Sequence, residues 1–113
     1  MNEADDKIVT KCGATSSYCP DFGQIPMDAL IRLAKRYENG EAKHGRDNWR
    51  KGLGDPSYVI GRLNHAIYHS LKLINKLEGK VEWNGDDDAG AIMWAGAFAV
   101  EALKVLQPEL QFD

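Results

Sequence analysis

Glu38 and Glu41 stand three residues apart in the stretch from Tyr37 to Gly52, where Lys43, Arg46, Arg50 and Lys51 surround an Asn48-Trp49 pair. On a helix, positions i and i+3 share one face, so the two carboxylates point the same way. Carboxylates placed like this can share a hard cation such as Mg²⁺ or Mn²⁺ through oxygen ligands. The neighbouring cations suit phosphate, and Trp49 offers a face on which a base can stack. The pattern reads as the lip of a site for a phosphorylated ligand. The plainer alternative is a solvated helix face on which Glu38 and Glu41 pair with Lys35, Arg36 or Lys43, as weak surface pairs commonly do.

Two further clusters carry chemistry. Asp86-Asp87-Asp88 precedes an alanine-rich run. One carboxylate is enough to cap the N–H groups of a helix start and to meet the positive end of its dipole. Three in a row repel one another unless a metal ion or a set of Lys and Arg side chains offsets them. His65 and His69 stand at i and i+4, a spacing that can hold a metal ion. No acid or third histidine is near them in sequence, which makes a histidine metal site the weaker reading.

Three helices are expected to position these groups. Pro26 suits a first helical position, and Met27, Leu30, Ala34 and Tyr37 then recur at helical period until Gly45 ends the run. A loop over 46–55 follows, and Asp55-Pro56-Ser57 signals a second helix from about Tyr58 to Glu78, stopping at Gly79. On it Ile60, Leu63, Ile67, Leu71 and Ile74 form the face expected to be buried. Arg62, His65, His69, Lys72 and Lys76 form a basic stripe on the opposite face. The third helix runs to about Leu106 and is apolar almost all round, which two other helices of a short chain cannot cover. Self-association through the helix at 90–106 is the expected consequence, with Gly90, Gly96 and the alanines allowing close approach. The reading is therefore an all-α fold, a small bundle of three main helices completed by oligomerisation. Residues 1–24 form a loose arm, and 25–113 form a single helical nucleotide-binding domain.

At 113 residues the chain has the length of one domain. A net charge of −3 argues against direct binding to nucleic acid. No apolar run is read as reaching membrane-span length, and the acidic start Met1-Asn-Glu-Ala-Asp-Asp does not read as a signal peptide. A cytoplasmic protein is expected, in the host cytoplasm if a phage encodes it, with Cys12 and Cys19 as free thiols.

The order Ile25-Pro26-Met27-Asp28-Ala29-Leu30, Ala34, Tyr37-Glu38-Asn39-Gly40, Lys43, Gly45, Asn48-Trp49 and Lys51-Gly52 leads into a histidine-bearing helix, an acidic turn and an alanine-rich helix with Trp94. In this it resembles the dATP/dGTP diphosphohydrolase N-terminal domain, a family of small all-α, MazG-like proteins often found in phages. The resemblance spans about residues 12–106. Its most specific part is Gly-x-x-Lys-x-Gly-x-x-Asn-Trp-x-x-Gly from Gly40 to Gly52. It implies Glu38 and Asp87 as catalytic metal carboxylates, Lys43, Asn48 and Trp49 as lip residues, and His65 as the family's second-helix histidine. The chain departs from the family pattern at Asn64, His44 and Asp88-Ala89, where the family has Arg, Tyr and His-Leu.

Two functional readings follow from these residues. The first is a metal-dependent nucleoside triphosphate pyrophosphohydrolase that cleaves between the α and β phosphates and releases pyrophosphate. There Glu38, Glu41 and Asp87 hold Mg²⁺ or Mn²⁺, which activates water. Lys43, Arg46 and Lys51 meet the phosphates, and Asn48, Trp49 and His65 complete the nucleotide site. The alternative is a non-hydrolysing protein that sequesters a nucleotide, as a phage would use against host immune signalling. A purely structural helical bundle, the third reading, leaves the density of Tyr37–Gly52 unexplained.

Overall fold

The computed structural model describes residues 7–9 and 13–110. Its frame is three helices, α1 (Met27–His44), α2 (Pro56–Leu77) and α3 (Asp88–Leu106), and the fold is an all-α bundle. Each boundary follows from local chemistry. Pro26 sits at the N-cap of α1, one residue outside the helix, and Gly45 closes it at φ 90° with its N–H on the Glu41 carbonyl. The Asp55 side chain accepts from the Ser57 N–H at 3.0 Å, and Pro56 occupies the first turn of α2. Asp87 caps α3 through the Gly90 N–H. A Cβ on Gly90 would collide with that carboxylate, so the cap needs glycine there.

The connection expected as plain loop contains a 3-10 turn, Asn48–Gly52, entered through Asp47 in the left-handed region at φ 62°. The segment expected as a loose arm contains two short antiparallel strands, β1 (Lys7–Val9) and β2 (Thr15–Ser17), with Ile8 opposite Ser16. A 3-10 turn at Phe22–Gln24 follows, capped by the Asp21 side chain. Cys19 is a free, exposed thiol, while Cys12 lies outside the described residues.

The central helix is α3, with α2 along one side and α1 against its Trp94 flank. Its buried face is Ala91, Ala95, Phe98 and Ala102, at i, i+4, i+7 and i+11. The alanines let α2 approach closely, and the fully buried Phe98 contributes about 2–3 kcal/mol of apolar transfer energy. Gly96, Val100 and Leu103 on α3 remain exposed. By length (19 residues) and mean hydropathy (1.5), α3 is also apolar enough to cross a membrane, contrary to the expectation that no segment has that character.

The largest correction concerns α2, which is mounted the other way round from the expectation. Ile60, Leu63, Ile67, Leu71 and Ile74 are exposed, whereas His69 and Lys76 from the basic stripe are buried against α3. The cause is Asp88, 2% exposed in the first turn of α3. A buried carboxylate without partners is far more costly than exposed aliphatic surface. The facing side of α2 meets it with Lys76 at 2.5 Å, His69 at 2.7 Å and Lys72 at 3.7 Å.

Candidate functional site

The C-terminal half of α1, the Asn48–Gly52 turn, the start of α2 and the Trp94 turn of α3 enclose a cleft of about 510 Å³. That volume is in the range of small-molecule sites, about 300–1,000 Å³. Its floor is aromatic. Trp49 meets Tyr37 edge-on at 5.7 Å, Tyr37 leans on Trp94 at 6.1 Å, and Trp94 stacks on Phe98 at 5.3 Å. Trp49 thus fastens the turn to α1 and, through Tyr37, to the core. One side of its ring carries the Arg50 guanidinium, 4.4 Å from the ring centroid. Burial, followed by the nearby Glu101 charge, raises the Tyr37 phenol above its ordinary pKa despite Arg50, so it stays protonated. Gly52 is required by the same packing, because the Tyr58 ring occupies the space a Cβ would need.

Five fixed cations line this cleft: Arg36, Lys43, Arg46, Arg50 and Arg62. Two are offset. Arg50 pairs with Asp47 at 2.9 Å, and Arg46 lies 3.9 Å from Glu41. Among the described residues, Arg36, Lys43 and Arg62 have no ion pair, in a chain whose net charge is −3. The Arg62 Nε is buried and has no hydrogen-bond partner, and its guanidinium lies 5.4 Å from the Tyr58 ring centroid. An unpartnered buried guanidinium N–H costs free energy until an acceptor arrives. The cleft therefore carries more fixed positive than negative side chains: five Lys and Arg against Glu41 and Asp47.

His65, also on the cleft wall, is the outer end of a hydrogen-bonded chain. Its Nε2 lies 3.1 Å from His69 Nε2, and His69 Nδ1 lies 2.7 Å from Asp88 Oδ1. Burial alone would raise the Asp88 pKa, but hydrogen bonds from His69 and Lys76, with the charges of Lys76 and Lys72, hold it at about 2. The carboxylate therefore only accepts, and His69 Nδ1–H donates to it. His69 Nε2 and His65 Nε2 share one hydrogen bond, which leaves His65 Nδ1 as the ring nitrogen outside this relay. Desolvation and the neighbouring His69, Arg62, Arg36 and Lys72 lower the His65 pKa, so its imidazole is neutral at pH 7.

Of the residues singled out in the sequence, Glu41, Lys43, Arg46, Asn48, Trp49 and His65 all line the cleft. Glu38, Lys51 and Asp87 do not. Glu38 is exposed on α1, Lys51 is exposed on the turn, and Asp87 is committed to capping α3 and to Arg32 at 3.4 Å. The triple Asp is divided among separate tasks: Asp86 binds Lys72 at 2.7 Å, Asp87 caps, and Asp88 anchors the buried cluster. Lys and Arg side chains thereby offset the repulsion. Among the described residues no three His, Cys, Asp or Glu side chains form a group able to hold a metal ion. Of the three carboxylates expected to hold Mg²⁺ or Mn²⁺, the cleft takes in Glu41 but not Glu38 or Asp87.

Arg36 and Arg62 are the site residues that motif spacing missed. Arg62 belongs to the basic stripe of α2, and its role is hidden once that stripe is assigned to solvent. No family model, curated protein or solved structure matches the chain.

Proposed function

We propose that this chain binds a phosphate-bearing nucleotide in the α1–α2 cleft and holds it without cleaving it. The observation that carries this is Arg62, whose Nε is buried and unpartnered and which lines the same cleft as two further unpaired cations, Arg36 and Lys43. Three such charges suit an anion with several phosphate oxygens. The aromatic floor of Tyr37, Trp49 and Trp94 suits a base or ribose. Retention without turnover is favoured because Glu38 and Asp87 stand outside the cleft, which leaves Glu41 and Asp47 as the carboxylates there, each with an arginine beside it.

The resemblance to MazG-like diphosphohydrolases supports the second reading, pyrophosphate release from a nucleoside triphosphate. Its specific support is that Lys43, Gly45, Asn48 and Trp49 of the shared motif all line one cleft together with Glu41. Hydrolysis by that route needs further carboxylates brought to Glu41.

Calorimetric titration with a nucleoside triphosphate separates the binding claim from adventitious affinity. Arg62→Gln removes the charge and is expected to weaken binding by about 1.5–3 kcal/mol, the range for charge-assisted hydrogen bonds. The melting temperature should hold or rise, because the buried Nε that lacks a hydrogen-bond partner is lost. Equal affinity in wild type and variant at low salt would overturn the proposal.

A further inference from the structure

The five exposed aliphatic residues of α2 form a pattern that reads the same in both directions. Ile60, Leu63, Ile67, Leu71 and Ile74 lie at −7, −4, 0, +4 and +7 from Ile67, and their types run Ile, Leu, Ile, Leu, Ile. Each is between 43% and 59% exposed. At 100° per residue they occupy about 80° of the helix circumference and extend over about 21 Å. The charged and histidine residues of α2, namely Arg62, His65, His69, Lys72 and Lys76, all lie on the other side.

We propose that this stripe is the contact surface for a second copy of the chain, with the two α2 helices antiparallel about a two-fold axis at Ile67. A two-fold contact uses the same patch on both subunits, so residue i meets j and j meets i. The spacing satisfies this without adjustment. Ile60 faces the partner's Ile74, Leu63 faces the partner's Leu71, and the two Ile67 side chains meet on the axis. The steps of 3, 4, 4 and 3 residues keep the stripe on one face of the helix, which lets it pack lengthwise along a second helix. Because the stripe holds no charge, a second identical stripe meets it without repulsion, whereas a charged partner gains nothing from it.

The stripe is continuous along α2: its five aliphatic side chains stay about half open to solvent, surface that a second copy would cover. The stripe faces away from Arg62 and His65, so the two nucleotide clefts stay open on the outer sides of such a dimer. This inference does not depend on what the cleft binds.

Cysteine cross-linking tests both the interface and its direction. In a Cys12→Ser/Cys19→Ser background, Ile67→Cys is expected to give a covalent dimer on mild oxidation. Leu63→Cys is expected not to, because the two copies of that position lie about 12 Å apart along an antiparallel pair. Light scattering should return twice 12.6 kDa for the wild type at micromolar concentration, and the monomer mass for Ile67→Asp. A monomeric wild type overturns the proposal. So does an Ile67→Cys variant that stays uncrosslinked while Val100→Cys, on the exposed side of α3, links. Equal cross-linking at Ile67 and Leu63 overturns the antiparallel register. Should Ile67→Asp fail to fold, the cysteine pair decides the matter alone.

Discussion

Asp88→Asn tests the reasoning that set α2 with its cations inward. The substitution keeps shape and one acceptor oxygen but removes the charge that faces Lys76 at 2.5 Å and His69 at 2.7 Å. The Asp88 pKa falls from its ordinary value of 3.8 to about 2 in the folded chain, equivalent to about 2 kcal/mol of stability. Removing one member of a buried pair typically costs about 3–5 kcal/mol, because the other charge is stranded. The Asn84 side-chain oxygen still accepts from Lys76 at 2.7 Å, which favours the lower end. A loss of about 3 kcal/mol is expected, or a fall in Tm of roughly 12 °C for a chain of this length. The folded pKa is depressed, so the Asp88 contribution is present in full above about pH 4 and is lost as pH falls toward 2. Urea unfolding followed by circular dichroism at fixed protein concentration, at pH 7, 4 and 2.5, measures both quantities. Wild type should lose stability across that acid range, and Asp88→Asn should start lower and change less. A variant within about 0.5 kcal/mol of wild type at pH 7, or one with the same acid limb, would refute the buried-cluster account.

Lys43→Ala should weaken nucleotide binding by about 1.5–3 kcal/mol, whereas Lys51→Ala, outside the cleft, should change it by less than about 0.5 kcal/mol; paired calorimetric titrations compare the two. An anion in the cleft should raise the depressed His65 pKa. The extra affinity is then complete below the His65 pKa of the free protein and lost as pH rises through that of the complex. A cyclic nucleotide suits this measurement, because a terminal phosphate titrates itself at about pH 6. His65→Gln should flatten the profile, and an unchanged slope would remove His65 from the site. Gly52→Ala should destabilise the chain by about 1–3 kcal/mol in thermal unfolding, because the Tyr58 ring fills the Cβ position.

Much of the frame was legible because helix boundaries are written in local chemistry. Gly45, Asp55-Pro56 and Gly79 act through their own backbone geometry or caps, and the three helices begin and end within two residues of where these signals put them. The lip of the cleft was legible for the same reason, since Lys43 to Trp49 is one continuous stretch that the Gly45 break folds back. The orientation of α2 was not legible. Periodicity separates two faces of a helix but does not say which one turns inward, and the apolar face is the ordinary choice. Here one buried aspartate on a different helix reverses it. Asp87 and Asp88 show the same limit at finer scale: a shift of one residue in the start of α3 decides which carboxylate caps and which is buried. Glu38 and Glu41 do share the α1 helix, but the cleft takes in Glu41 and not Glu38, a choice that depends on tertiary placement. Arg62 gave no signal of its own until the packing left its Nε without a partner.

The central claim is that the cleft retains an intact nucleotide. Incubating the purified protein with a nucleoside triphosphate and Mg²⁺, removing unbound ligand by gel filtration, and resolving the retained nucleotide and any pyrophosphate by ion exchange tests it directly. The account predicts stoichiometric retention of the unchanged triphosphate, lost in Arg62→Gln. Release of a monophosphate and pyrophosphate would contradict retention without cleavage, and the absence of any bound nucleotide would contradict the assignment of the cleft itself.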